Sequence, residues 1–352
     1  MMKNMMAATI VASGAMMVSG AAMAAEEGLK LKLSGWFSGV IAVGDDGNVA
    51  HRNISFQSWN SEIHFTAEGT TAGGITYGFR VELEGSTQAD QIDESYLYFS
   101  GDFGRIIYGN DDVAAFNLTA ASPTPDKVGV LAVNYPDYWF GSSFISTYPI
   151  LGGDSNKFIY FTPRIAGLQG GISYAPDICE DQSCNIGNFE ADNNGTFGSG
   201  QQVSGGLNYL VPIDKAKLML SGTYTWTESE GAGLEDIPQL GFGASLSVPA
   251  GIGEIRLGGS YLGMQNARGV KDVDVDQYEA GLRYDQGPWT LGVQSAWLVS
   301  DLPDADTWAI SVGGGYGLAP GLDLSFGYLH YDRDTNVGFD ADVVIGATKV
   351  SF

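Results

Sequence analysis

The chain has 352 residues and a formal net charge of −24, set by 41 acidic against 17 basic side chains. So acidic a surface excludes nucleic acid as a partner, because phosphate binding needs clustered cations. Beyond the N terminus no apolar run approaches the length of about 18 residues that a spanning helix requires, which argues against a helical membrane protein.

In chain order, the first feature is a leader. Met1 to Asn4 carries one cation, Lys3; Ala7 to Val18 is apolar and small; Ala22-Met23-Ala24 fits a small-x-small cleavage site. Residues 1–24 therefore read as a secretory signal peptide, and residues 25–352 as the mature domain. The apolar run is too short for a transmembrane anchor.

From Leu29 the hydrophobic period is two. Leu29, Leu31 and Leu33 alternate with Lys30, Lys32 and Ser34. Ile63, Phe65 and Ala67 alternate with Glu62, His64 and Thr66, and Tyr77, Phe79, Val81 and Leu83 with Gly78, Arg80, Glu82 and Glu84. Such alternation marks strands with one apolar and one polar face. The stretch DESYLYFSGDFGRIIYGNDD, residues 93–112, reads as two strands joined at Gly101-Asp102. An acidic and aromatic segment follows, then NKFIYFTPRIAGLQGGISYAPD.

Cys179 and Cys184, the two cysteines, lie in a polar segment. In an exported protein a close pair reads as an intraloop disulfide. The rival reading is metal binding by the acidic loop 177–195, with Asp177, Glu180 and Asp181, although the spacing does not match an EF-hand.

Later, Leu218, Leu220, Tyr224 and Trp226 alternate with Lys217, Met219, Thr223 and Thr225, and Leu240, Phe242, Ala244 and Leu246 with Gly241, Gly243, Ser245 and Ser247. Short turns such as VPID, VPAGIG and DQGPW alternate with longer polar segments such as TESEGAGLED. This predicts an all-β chain of about 16 antiparallel strands of about 10 residues, closed into a transmembrane barrel with short turns at one end and loops at the other. Tyr174, Tyr209, Tyr224, Trp226, Tyr261, Tyr284, Trp289, Trp297, Trp308 and Tyr328 fall near predicted strand ends, as interfacial girdles do. A soluble sandwich is the rival, but a chain of this length would show buried runs or separate domains.

Taken together, SYLYFSGDFGRIIYGNDD, the NKFIYF…GLQGG strand pair and the aromatic terminus Phe352, in phase with Val350 and Val344, resemble the general porins of Gram-negative bacteria. The resemblance covers the whole mature chain. It implies a homotrimer of 16-stranded barrels in the outer membrane, in contact with lipid and lipopolysaccharide, with Phe352 as the signal to the barrel-assembly machinery. Gly35 and Gly39 would allow close subunit approach. Residues 111–155 would be the long third loop, folded into the lumen to narrow a water-filled channel for small hydrophilic solutes. No cofactor or metal is implied.

In that family, acids on the loop face cations on the wall. The matching loop acids are Asp111, Asp112, Asp126 and Asp137; the matching wall positions are Lys30, Lys32, Glu62, Arg80, Glu82, Asn110, Arg256 and Arg283, with Lys349 beside them. The chain departs from the pattern where Trp36, Glu62 and Asn110 stand at positions that are often basic, so a cation preference is expected. Two other readings stay open: a sugar-specific porin, for which Tyr135, Tyr138, Trp139, Phe140, Phe144 and Tyr148 would supply an aromatic path, and a non-conducting structural or adhesive barrel. An enzyme is not expected, since the histidines are His51, His64 and His330 and no G-x-S-x-G elbow occurs.

Overall fold

The computed structural model of the chain describes residues 28–45, 52–86, 91–133, 145–149, 151–179, 185–186, 189–190, 199–302, 305–333 and 339–352. The predicted signal segment 1–24 lies outside them.

The strands are β1 Lys30–Asp45, β2 Ile54–Thr70, β3 Thr76–Glu84, β4 Ile92–Gly101, β5 Gly104–Asn110, β6 Asn156–Phe161 and β7 Leu168–Ala175, then a two-residue hairpin of β8 Asn185–Ile186 and β9 Phe189–Glu190. They continue as β10 Ser199–Ile213, β11 Ala216–Ser229, β12 Ile237–Ala250, β13 Gly253–Met264, β14 Val275–Gln286, β15 Trp289–Ser300, β16 Thr307–Ala319, β17 Leu322–Arg333 and β18 Phe339–Ser351. All but β8 and β9 form one closed barrel of sixteen antiparallel strands, in which each strand pairs with its sequence neighbour and β18 pairs with β1. One short helix, α1 Ala114–Leu118, lies in the connection from β5 to β6. Among the described residues no helix is long and apolar enough to cross a membrane.

The seam is closed through the chain end. Phe352 N–H donates to the Gly35 carbonyl at 3.1 Å, and Gly35 N–H to the Phe352 carbonyl at 3.3 Å. Just beyond, the β1–β2 register slips between Trp36 and Ser38, a bulge that lets Gly35 lie against the Glu62 carbonyl where no β carbon would fit. At the opposite end of the sheet from the long loops, the tight turns use left-handed residues: Asp214, Gly251, Gly287 and Gly321 have φ between 50° and 73°. The first three lie in the predicted VPID, VPAGIG and DQGPW turns; the turn at Gly321 is a fourth.

The barrel is inside out relative to a soluble protein. Leu31, Phe56, Phe242, Leu257, Phe326 and Val344 are all more than half exposed, whereas Thr225, Gln202, Gln294, Thr290 and Ser311 are at most 1% exposed. The apolar phase of each strand faces out and the polar phase faces in, which only a hydrocarbon exterior rewards. Aromatic residues bound this apolar band. Trp289 packs on Tyr316 near the short turns, with ring centroids 4.5 Å apart, and Tyr261 packs on Tyr278 near the long loops, at 5.1 Å.

Replacing Phe242 by Arg at mid-strand on the outer face is expected to cost about 2–4 kcal/mol in reversible unfolding from lipid vesicles. The same substitution at the lumen-facing Thr66 should cost much less. Equal losses at the two positions would contradict the assignment of faces.

Candidate functional site

The inward-folded segment between β5 and β6 determines what remains of the lumen. It leaves the wall after Asn110, forms α1, and runs around the inner face. Its main-chain donors are met by wall side chains, out to β17 and then back towards β15 and β14. Ala114 N–H donates to Ser173 Oγ on β7 at 3.0 Å, Ala120 N–H to Ser221 Oγ on β11 at 2.9 Å, and Ser122 N–H to Glu279 Oε1 on β14 at 2.6 Å. Val133 N–H donates to Gln294 Oε1 on β15 at 3.0 Å, and Val128 N–H to Ser325 Oγ on β17 at 3.1 Å. On the return path Ser146 N–H reaches Gln277 Oε1 at 2.7 Å. An irregular segment at membrane depth is stable only when its polar groups are satisfied by protein or water, and here the wall supplies them.

Two features let the segment lie flat against the sheet. Glycines clear its path: a β carbon on Gly243 would fall 1.8 Å from the Ala120 carbonyl oxygen, and one on Gly292 2.8 Å from Pro125 Cα. Apolar side chains then seal it. Val128, Val130, Leu131, Val133 and Ile145 pack on the inward residues Val40, Ala42, Trp59, Leu329, Tyr331, Val343 and Ile345. At the other end, Ala114 and Leu118 of α1 pack on Tyr98, Ile107, Ile159 and Phe161.

Among the described residues, the wall left uncovered is that of β3, β4 and β5 and the turn-side halves of β1 and β2. A cavity of about 680 Å³ there is lined by Lys30, Lys32, Ser34, Thr66, Glu68, Thr70 and Arg80. A second, of about 370 Å³, lies between Arg80, Tyr96 and Arg105 on the wall and Asp111, Asn117 and Leu118 on the loop. Arg80 belongs to both, which places it at the narrowing between them.

The charges around Arg80 form one network. Its Nε pairs with Glu82 Oε1. Its Nη2 donates to His64 Nδ1 at 3.0 Å, so the His64 proton sits on Nε2 and faces Glu62 at 2.7 Å and Glu82 at 3.1 Å. Glu62, His64 and Glu82 are spaced closely enough to hold a metal ion. The Arg80 donor at Nδ1 argues against that use, because it keeps the hydrogen on the nitrogen that would have to bind the metal. Beside this network the Lys349 ammonium lies 4.1 Å from the Trp36 ring centroid, and Trp36 Nε1 donates to Asn60 Oδ1 at 2.9 Å. Across the sheet, the Arg105 guanidinium lies 4.5 Å from the Tyr98 ring centroid.

The sequence-derived site residues separate into groups. Lys30, Lys32, Glu62, Arg80, Glu82 and Asp111 meet around the two cavities. Asn110 is buried at the end of β5 opposite Asn156. Asp112 is partly buried beside Asp111, whose Oδ1 accepts its N–H at 2.9 Å. Arg256 and Arg283 lie apart from these, directly opposite each other on β13 and β14. Asp285 relieves their repulsion, at 3.4 Å from Arg256 and 2.8 Å from Arg283, and Arg283 Nη1 donates to the Asp126 carbonyl at 3.1 Å.

Asp126 does not line the lumen. It is 1% exposed, and its carboxylate accepts the N–H groups of Val128, Gly129 and Leu131, so it shapes the loop's own turn. Asp137 lies outside the described residues, as do Tyr135, Tyr138, Trp139, Phe140 and Phe144. Tyr148 packs on Phe116 of α1, with centroids 4.8 Å apart, as a loop-packing aromatic would. Cys179 is disulfide-bonded, and Cys184 lies outside the described residues. Phe352 closes the seam through its main chain while its ring stays 64% exposed.

Two cations that sequence reasoning passed over belong to the site: Arg105, in the second cavity, and Lys157, buried at the loop's root. Alternation held the signal for both. Tyr108 and Phe158 face out, so Arg105 and Lys157, an odd number of residues away, face in.

At the root the two carboxyls are perturbed. Burial pushes Asp111 up to about 6, against the opposing pull of the Lys157 charge. Burial, then the Asp154 and Asp111 charges, push Asp112 up to about 8. A carboxyl with a raised folded-state pKa binds its proton more tightly in the folded state. Its contribution therefore falls as pH rises from about 4 towards about 8. Asp112→Asn should accordingly gain more stability relative to the wild type at pH 9 than at pH 5, and least at or below pH 4, measured by denaturant unfolding at each pH. A difference independent of pH would show that Asp112 does not titrate in this range.

Comparison with known proteins agrees with this architecture. A family model described as Gram-negative porin matches residues 7–336. Among solved structures, an anion-selective porin from Comamonas acidovorans superimposes with a TM-score of 0.65 at 16% identity, covering 92% of this chain and 100% of that one. OmpT of Vibrio cholerae, in its trimer form, gives 0.64 at 12% identity over 93% and 100% of the two chains. A porin refined at 1.8 Å resolution gives 0.60 at 19% identity over 92% and 100%. No curated protein sequence matches the chain.

Proposed function

The chain belongs to the Gram-negative porin family, multi-pass β-barrels of the outer membrane, and from that premise we propose that it is a passive, cation-preferring channel for small hydrophilic solutes and ions, working as a homotrimer. Family and fold point to a channel rather than an enzyme. His64 is engaged by Glu62, Glu82 and Arg80, and His330 by Asp342 at 2.9 Å, while His51 lies outside the described residues. The V. cholerae relative has a trimer form, which supports the assembly proposed here.

One observation carries the cation preference: three of the wall arginines, Arg80, Arg256 and Arg283, are matched by carboxylates. Arg80 pairs with Glu82, Arg256 with Glu254 at 2.6 Å, and Arg283 with Asp285 at 2.8 Å. A matched arginine holds little net positive potential over the path, which leaves Asp111 and Glu68 as the lining carboxylates that favour cations, set against Lys30, Lys32 and Arg105. The C. acidovorans porin is anion-selective on the same fold, so the fold leaves selectivity to side chains.

In a KCl gradient across a planar bilayer the reversal potential should have the cation-selective sign, and it should shrink in high salt as the Debye length falls below about 8 Å. Asp111→Asn should move it towards zero at pH 7, and Arg80→Gln should move it the other way. Adding Asp112→Asn should deepen the effect of Asp111→Asn above pH 8, where Asp112 ionises. An anion-selective wild type would refute the preference, and a non-conducting one would favour the structural or adhesive reading. Monomers alone in native mass spectrometry would refute the trimer.

A further inference from the structure

We propose that Lys157 is the positioning residue of the third loop: its ammonium ties the two roots of the loop together and thereby sets the width of the passage. The inference rests on the channel reading for its functional consequence, and on geometry alone for the clamp.

Lys157 is the second residue of β6 and is only 4% exposed. It pairs across the ladder with Gly109. At the tip, Nζ donates to the Asp111 carbonyl, the Gly153 carbonyl and, at 2.7 Å, the Ser155 carbonyl. Asp111 is the first residue of the loop and Ser155 the last, so one ammonium spends its three N–H groups on three carbonyls drawn from both roots. The last pair of the β5–β6 ladder is Asn110 with Asn156. The clamp begins where the ladder stops. Asp154 and Asp111 supply compensating negative charge.

A tripod of donors suits this task. Three carbonyl oxygens converging on one point repel each other and, away from water, each needs a donor. Methionine fills the same space and donates nothing. Arginine keeps the charge but presents a flat fork, which cannot aim three N–H groups at three oxygens gathered around a single atom. The root matters for conduction because α1 follows it within three residues and carries Asn117 and Leu118 into the narrowing opposite Arg80. A root that opens carries those side chains with it.

The test compares wild type, Lys157→Met and Lys157→Arg, each refolded into detergent and checked for barrel circular dichroism. Two readouts are taken: hydrogen exchange of residues 111–120, and closing events of single channels in planar bilayers. Both variants should exchange faster over 111–120, and both should close about tenfold more often, the factor equivalent to about 1.4 kcal/mol. Wild-type exchange and closing rates in Lys157→Met would overturn the clamp, as would full rescue by Lys157→Arg, which would reduce the role to charge alone. Should Lys157→Met fail to fold, the Lys157→Arg exchange rate decides. A wild type that exchanges slowly at the root yet never conducts would sink the channel reading while leaving the clamp supported.

Discussion

The structure depends on one constraint: inside a hydrocarbon layer each main-chain N–H and C=O must find a partner within the protein. A sheet meets it only by closing on itself, because an open edge exposes a row of unpaired groups. Here closure is completed by the last residue, whose main chain bonds Gly35 across the seam from β18 to β1. The same demand applies to the irregular third loop, which has no ladder of its own. Its donors are answered instead by Ser173, Ser221, Gln277, Glu279, Gln294 and Ser325, all facing inwards from successive regions of the wall. These polar residues look like a water-facing surface in the sequence, yet all of them except Ser221 are at most 5% exposed.

That double use of the inner face explains which parts of the fold were legible in the sequence. Period-two alternation revealed the strands, and Asp and Gly at short turns revealed one end of the barrel, because both follow from local backbone geometry. Alternation fades where the loop covers the wall. In β18, Val343, Ile345 and Ala347 face inwards under the loop while Val344 faces out, so both phases are apolar and neither resembles a lumen. The opening hairpin has the same origin for its mixed faces: Tyr98 and Ile107 face inwards to receive α1, whereas Leu97 and Tyr108 are exposed outside.

The site was legible by face but not by role. Counting from outward aromatics puts Arg80, Arg105 and Lys157 inside, but no local pattern separates a cation that lines water from one that is consumed in packing. Asp126 shows the same limit for acids. Its place in an acidic loop gave it the appearance of a constriction charge, but three N–H groups of its own turn take up the carboxylate. Partners distant in sequence decide these roles, and they become visible only once the loop is folded back onto the wall.

The path of the loop also determines where a field can act. Because it lies on the inner face from β7 round to the loop-side halves of β1 and β2, the open passage is pushed against β3, β4 and β5 rather than centred in the barrel. A solute there meets Arg80 and Arg105 on one side and Asp111 and Asn117 on the other. Arg283, on the covered side, is bound to the Asp126 carbonyl of the loop. Of the wall cations, those under the loop therefore act mainly on its position, and those on the open wall act on what passes. The same residue type serves anchoring or selection according to which side of one segment it lies on, and the row of glycines and short polar side chains along the wall fixes where that segment runs.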